Sequence, residues 1–159
     1  MHIAIATTEF VTENSFAGGL ANYSANLARM LSEHGHRVSV FVISTLSEEI
    51  IWENDVRVYR VHYNDFPEKI KRVRIEFIKR TARAIWNLFG KSYVINKAIK
   101  AINKQKKIDI IHFCNSEALP LFKSKKIPAV VRLSSYQPVV RHAQMPVFID
   151  IKPDFISKF

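Results

Sequence analysis

Two adjacent glycines, Gly18 and Gly19, follow a polar stretch at residues 8–17 and stand directly before a run of helical periodicity. Glycine has no Cβ, so backbone there can come close to a ligand. Free N–H groups and the positive end of a helix dipole at that point favour a phosphate or carboxylate. A loop that simply needs positive φ is the competing reading. Ser134, Ser135 and Tyr136 follow an apolar run directly. Their hydroxyls could hydrogen-bond a sugar, or equally cap a turn. Asn115 belongs to the short segment at residues 114–117, which also follows an apolar run. His112 lies inside the run IDIIHF, and a histidine in a strand is more often packed in the core than catalytic. The single cysteine, Cys114, has no companion Cys or His at ligand spacing, so no metal site is indicated. A catalytic thiol there has no supporting motif. His34 and His36 flank Gly35 on what reads as an exposed turn. There is no G-x-G-x-x-G, no Walker A pattern and no G-x-S-x-G elbow.

Charge marks a second region. The net charge is +10 over 159 residues. Residues 66–107 hold 13 Lys or Arg and 2 Glu, a local balance of +11, so this one segment carries the whole excess. Such concentration points to an anionic partner: phospholipid, nucleic acid or phosphate. Lys69, Lys71, Arg72, Arg74, Lys79, Arg80 and Arg83 are interleaved there with Ile75, Ile78, Trp86 and Phe89. The stretch is too charged to span a bilayer, but the mixture suits a surface helix on an anionic leaflet. The plainer alternative is an apolar stripe packed on a sheet with cations facing water. A basic module for nucleic acid is a further alternative, although no recognised nucleic-acid motif is present.

The elements that must position these residues follow from periodicity. Residues 2–7 (HIAIAT), 37–43, 56–62, 108–113 and 127–133 read as strands. Residues 50–52 read as a hairpin partner of 56–62. Leu20, Tyr23, Leu27, Met30 and Leu31 repeat at helical spacing, and Gly35 stops that helix. From residue 66 to about 103 the chain reads as helix in two pieces, broken near Gly90. Residues 117–124 suggest a short helix. Five strands interleaved with helices predict one open, doubly wound, mostly parallel α/β sheet. Composition agrees: 48% hydrophobic and 24% charged residues exclude a disordered chain. One cysteine excludes an internal disulfide and fits a reducing compartment. No apolar run reaches the 18 or so residues that cross a bilayer. These features together read as a cytoplasmic protein.

The segment GGLANYSANLARMLSEHGHRVSVF resembles the opening of the family 4 glycosyltransferases: a Gly-Gly pair, an apolar helix, then Gly35-His36 with Val38 and Val40. The strand Asp109 to His112 and the run IPAVVRLSSY resemble later strands of the same family. The resemblance implies a Rossmann-like N-terminal domain of the two-domain GT-B fold, spanning residues 1–159 and incomplete at its C-terminal end. It implies a retaining hexosyltransferase that uses a nucleotide-sugar donor and a glycan or lipid-linked acceptor, with no metal and no cofactor. This half would hold the acceptor and line the interdomain cleft with Gly18 and Gly19. The donor-binding domain would belong to the same longer polypeptide, so the chain alone is expected to be inactive. Peripheral attachment to the inner face of the membrane is expected from the basic segment. Two departures stand out. Many members place a histidine where Ser134 stands here. Ala21 occupies the position of a frequent glutamate.

Overall fold

The computed structural model describes residues 1–13, 18–64, 75–114 and 119–132. In chain order these form β1 (His2–Thr7), α1 (Gly19–Glu33), β2 (Arg37–Ser44), β3 (Glu48–Trp52), a 3-10 turn (Glu53–Asp55), β4 (Val56–His62), α2 (Glu76–Gln105), β5 (Ile110–Cys114), a second 3-10 turn (Leu119–Phe122) and β6 (Ala129–Arg132). The strands join in one sheet in the order β3-β4-β2-β1-β5-β6. All neighbours pair parallel except β3, which runs antiparallel to β4. The expected α/β sheet is therefore present, and residues 50–52 do form the hairpin partner.

β1 is buried along its whole length because it sits between β2 and β5 with a helix over each face. Alternation divides its side chains. Ala4 and Ala6 point to the α2 side, where they meet Phe41, Ile95, Ile99, Ile111 and Phe113. Ile5 points to the α1 side, with Val38, Val40, Val42, Ala25 and Ala28. Each isoleucine or phenylalanine so buried contributes about 1.5–3 kcal/mol.

α1 ends as its sequence dictates. Gly35 adopts φ +76°, its N–H donates to Ser32 O at 2.9 Å, and the His36 N–H donates to Leu31 O at 3.1 Å. These two bonds satisfy carbonyls that the helix end would otherwise orphan. The packing seam differs from the expected stripe. The residues of α1 fully buried on the sheet are Ala21, Ser24, Ala25 and Ala28, while Leu20, Tyr23, Leu27 and Leu31 flank the seam half-buried and Met30 is exposed. Small side chains let the helix axis lie close to the sheet, and the larger ones fill the margins.

The segment expected as two helices is one helix from Glu76 to Gln105 over its described part, so Gly90 is no break. A Cβ on Gly90 would lie 2.8 Å from both Trp86 and Tyr63 side-chain atoms. The glycine makes room for a stack of those two rings, whose centroids are 5.8 Å apart. The C-terminal half of α2 packs on the sheet through Ile95 and Ile99. Its N-terminal half does not: Phe77 is 79% exposed and Ile85 54%. Within the stretch expected as a short helix, the described residues form the single 3-10 turn.

Candidate functional site

The parallel strands β1, β2, β5 and β6 end at Thr7, Ser44, Cys114 and Arg132, and α1 begins beside them at Gly19. Open α/β sheets bind their ligands outside these carboxyl ends. The floor is a buried polar contact. Ser24 Oγ donates to Leu20 O at 2.8 Å and lies 3.3 Å from Cys114 Sγ and 3.5 Å from Thr7 Oγ1. All three residues are fully buried. Burial pushes the Cys114 thiol above its ordinary range, so it stays protonated and is no nucleophile at neutral pH. Glu9, two residues past β1, has one carboxylate oxygen shut from solvent without a hydrogen-bond partner among the described residues.

The loop that leaves β1 is tied down before it reaches the glycines. Glu13 Oε1 accepts from Arg60 Nε at 2.8 Å, and Glu13 Oε2 accepts from Ser44 Oγ at 2.6 Å. Arg60 also donates to Thr12 O at 2.5 Å and pairs with Glu48. Both partners of the central pair are largely buried, with side chains 15% and 13% exposed. Residues 12 and 13 are thus fastened to the ends of β2 and β4. Gly18, the residue before α1, then adopts φ +100° and ψ −149°, a region that is essentially glycine's alone. No side chain caps α1, and its first turn holds no acid. No described atom lies within 4 Å of a Cβ built on Gly18 or Gly19. Gly18 therefore meets the backbone requirement, and both glycines leave open space at the helix start.

One turn into α1, Tyr23 carries a second group of residues. Its hydroxyl is 3.4 Å from His112 Nε2. The Arg132 guanidinium lies over its ring at 3.6 Å from the centroid. Burial, reinforced by the Arg132 charge, holds His112 below its ordinary pKa, so the imidazole is neutral at pH 7. His112 is a half-buried residue on the α1 side of β5.

Of the residues singled out in the sequence for a membrane surface, Lys79, Arg80, Arg83 and Trp86 are described, all on the N-terminal half of α2. Lys79 pairs with Glu76 at 3.2 Å. Trp86 donates from Nε1 to Asn64 O at 2.8 Å, which fixes its ring on Tyr63. Beside the cations, Ile85, Trp86, Phe89, Tyr93 and Phe122 line an apolar groove of about 350 Å³. A separate groove of about 470 Å³ lies between α2 and β4, bounded by Phe41, Tyr59, Val94 and Ile102, away from the α1 terminus. Asn115, Ser134, Ser135, Tyr136, Lys69, Lys71, Arg72 and Arg74 lie outside the described residues. Among the described residues no three His, Cys, Asp or Glu side chains cluster as a metal site, and no helix is long and apolar enough to cross a membrane.

Sequence reasoning overlooked Glu13, Arg60, Tyr23 and Arg132. A signal existed for the two arginines. Arg60 lies between apolar residues of β4 and Arg132 ends the apolar run of β6, and arginine is rarely buried in a strand without a partner.

A mostly parallel sheet whose strand ends meet a glycine-started helix defines an α/β domain of the Rossmann-like class. Residues 17–133 match the sequence model of glycosyltransferase family 4, and the chain belongs to that family. Among solved structures it is similar to a sucrose-phosphate synthase from Thermosynechococcus elongatus, with 18% identity and a TM-score of 0.46 over 71% of this chain. The chain spans 27% of the length of that protein. No curated protein matches the sequence.

Proposed function

We propose that this domain is the acceptor side of a sugar-transfer cleft, working with a donor-binding domain in the GT-B arrangement. The reaction moves a sugar from a nucleotide-sugar donor to a glycan or lipid-linked acceptor with retention at the anomeric carbon. Family membership supports a glycosyltransferase. The observation that carries the placement is the open glycine backbone at Gly18 and Gly19, where α1 starts beside the ends of the parallel strands. Backbone N–H groups and basic side chains at such a terminus stabilise charge on a leaving diphosphate, so no metal enters this reading. Asn115, Ser134, Ser135 and Tyr136 would hydrogen-bond sugar hydroxyls from the neighbouring strand ends. Transfer needs both substrates held in register, so the 159-residue chain alone is expected to show no sustained turnover. The test is Gly19→Val in the enzyme, assayed against a panel of nucleotide sugars. We expect turnover to fall by about 100-fold with thermal stability little changed, as for misplaced substrate. Full turnover in a folded variant removes this loop from the cleft.

A second element of the reading is reversible docking on an anionic membrane surface. It is supported by Phe77, Ile78, Ile85 and Phe89, which are exposed on the same half-helix as Lys79, Arg80 and Arg83. Lys69, Lys71, Arg72 and Arg74 precede them in the sequence. Peripheral attachment on the cytoplasmic leaflet would place the cleft beside a lipid-linked acceptor.

A further inference from the structure

We propose that Arg132, laid flat on Tyr23, forms a binding site for a phosphate-type oxyanion next to the start of α1. The guanidinium carbon is 3.6 Å from the ring centroid. At that distance the contact uses the face of the guanidinium and leaves its in-plane N–H fork to the side. Among the described residues no hydrogen bond or ion pair takes those donors, and no carboxylate neutralises the charge. The charge is felt instead by His112, whose imidazole it helps to keep neutral. Tyr23 OH, within 3.4 Å of His112 Nε2, adds a second polar group beside the same ring.

Position strengthens the assignment. Arg132 is the last residue of β6 and pairs in register with Cys114 at the end of β5. Tyr23 lies one turn behind Gly19 on α1. The stacked cation thus stands at the carboxyl edge of the sheet, close to a helix start that has neither a capping side chain nor an acid. A planar fork aimed from a rigid aromatic platform matches the oxygens of a phosphate or diphosphate. A purely structural role would need only the stacking, which is worth little at a half-exposed position. Binding of the oxyanion follows from these side chains alone. Its place in catalysis rests on the sugar-transfer reading, in which the anion is either the diphosphate of the donor or a phosphate on the acceptor.

The experiment titrates the chain with inorganic pyrophosphate, uridine diphosphate and glycerol 3-phosphate at low salt. Calorimetry follows affinity, and the His112 ring resonance is followed through pH. In the wild-type chain we expect saturable binding and a rise in the His112 pKa on saturation, because the anion offsets the Arg132 charge. In Arg132→Gln the ligand-free His112 pKa should already be raised, the anion should no longer move it, and affinity should fall about tenfold or more. Arg132→Lys keeps the charge but not the fork and should fall between them. That variant also decides the matter if the glutamine variant is poorly folded. Preference for uridine diphosphate assigns the site to the donor, and preference for glycerol 3-phosphate assigns it to the acceptor; either supports the site. No binding by the wild-type chain, or equal affinity in wild type and both variants, overturns it. Binding without any sugar transfer by the enzyme overturns only the transfer reading.

Discussion

At the residue scale, the glycine pair divides into two roles. Gly18 holds a backbone conformation that a side chain strains, whereas Gly19 begins α1 with open space around its Cβ position. Gly18→Ala should therefore destabilise the fold by about 1–3 kcal/mol. Gly19→Ala should leave stability unchanged or raise it by about 0.5 kcal/mol. Urea melts of the two variants check the contrast. The histidines give a pH signature. His2 is buried; a neutral ring donates from Nδ1 to Lys107 O and accepts at Nε2 from Ser39 Oγ, both at 2.8 Å. Burial lowers its pKa, as burial and Arg132 lower that of His112. The unfolded chain then binds more protons than the folded one once the pH drops below about 6.5. Stability should fall as the pH falls through that value towards the lower folded pKa values. A His2→Gln, His112→Gln double variant should flatten the curve between about pH 6.5 and 5. An unchanged slope in urea melts across that window contradicts these two groups as its source. The glycine pair was legible in the sequence because glycine before an apolar helix is a local signal. The Arg132–Tyr23 stack was not, because it joins strand and helix residues from opposite ends of the chain.

At the scale of elements, the sequence revealed what each segment is better than which side it buries. β1, β2, β4 and α1 were legible from period alone. The seam of α1 was misread because large apolar residues were given the core, while packing close to a sheet selects Ala21, Ala25 and Ala28. Gly90 was misread as a break because its role depends on Tyr63, a residue beyond the end of β4. The anchoring of the β1–α1 loop was invisible for a related reason, since Glu13 and Arg60 meet only once β2 and β4 are paired. Arg60→Ala leaves Glu13 a largely buried carboxylate without its cation. We expect a loss of about 3 kcal/mol and a loosened glycine loop. Arg60→Lys should recover only part of it, because a compact ammonium lacks the spread of the guanidinium fork, whose three nitrogens reach Glu13, Glu48 and Thr12 O separately. Denaturation curves and hydrogen exchange at residues 12–13 would show this. Equal stability of the alanine variant and wild type would mean the loop is held by other contacts.

At the scale of the whole molecule, the two faces of the sheet are treated differently. The α1 face is closed by one helix lying close on the strands. Among the described residues the α2 face is covered by the C-terminal half of its helix together with Leu119 and Ile127, and the N-terminal half of that helix presents apolar side chains beside cations. Each cation near an anionic leaflet contributes about 1 kcal/mol, and salt screens that attraction. We expect cosedimentation with vesicles containing anionic lipid at low salt and little with neutral vesicles. Changing Lys71, Arg72, Arg74, Lys79 and Arg80 to Glu should abolish it. Equal partition of wild type and that variant would sink the docking reading. Overall charge was legible in the sequence as a local excess. Which apolar side chains would be left outside was not, because that depends on how far α2 overhangs the sheet.

The stacked pair of Trp86 on Tyr63 has a consequence for observation. The chain has only two tryptophans. Trp52 sits edge-on to Phe10, 5.1 Å between centroids, among the residues packed on the α1 side. Trp86 lines the apolar groove on the opposite side. Each indole thus reports on a different side of the sheet. In a Trp52→Phe background the remaining emission comes from the overhanging half-helix alone. A blue shift on adding anionic vesicles would register contact there, while the reciprocal Trp86→Phe protein would stay silent unless the core itself changed. The fold carries its own pair of optical labels, one beside the α1-side core and one on the apolar groove of α2.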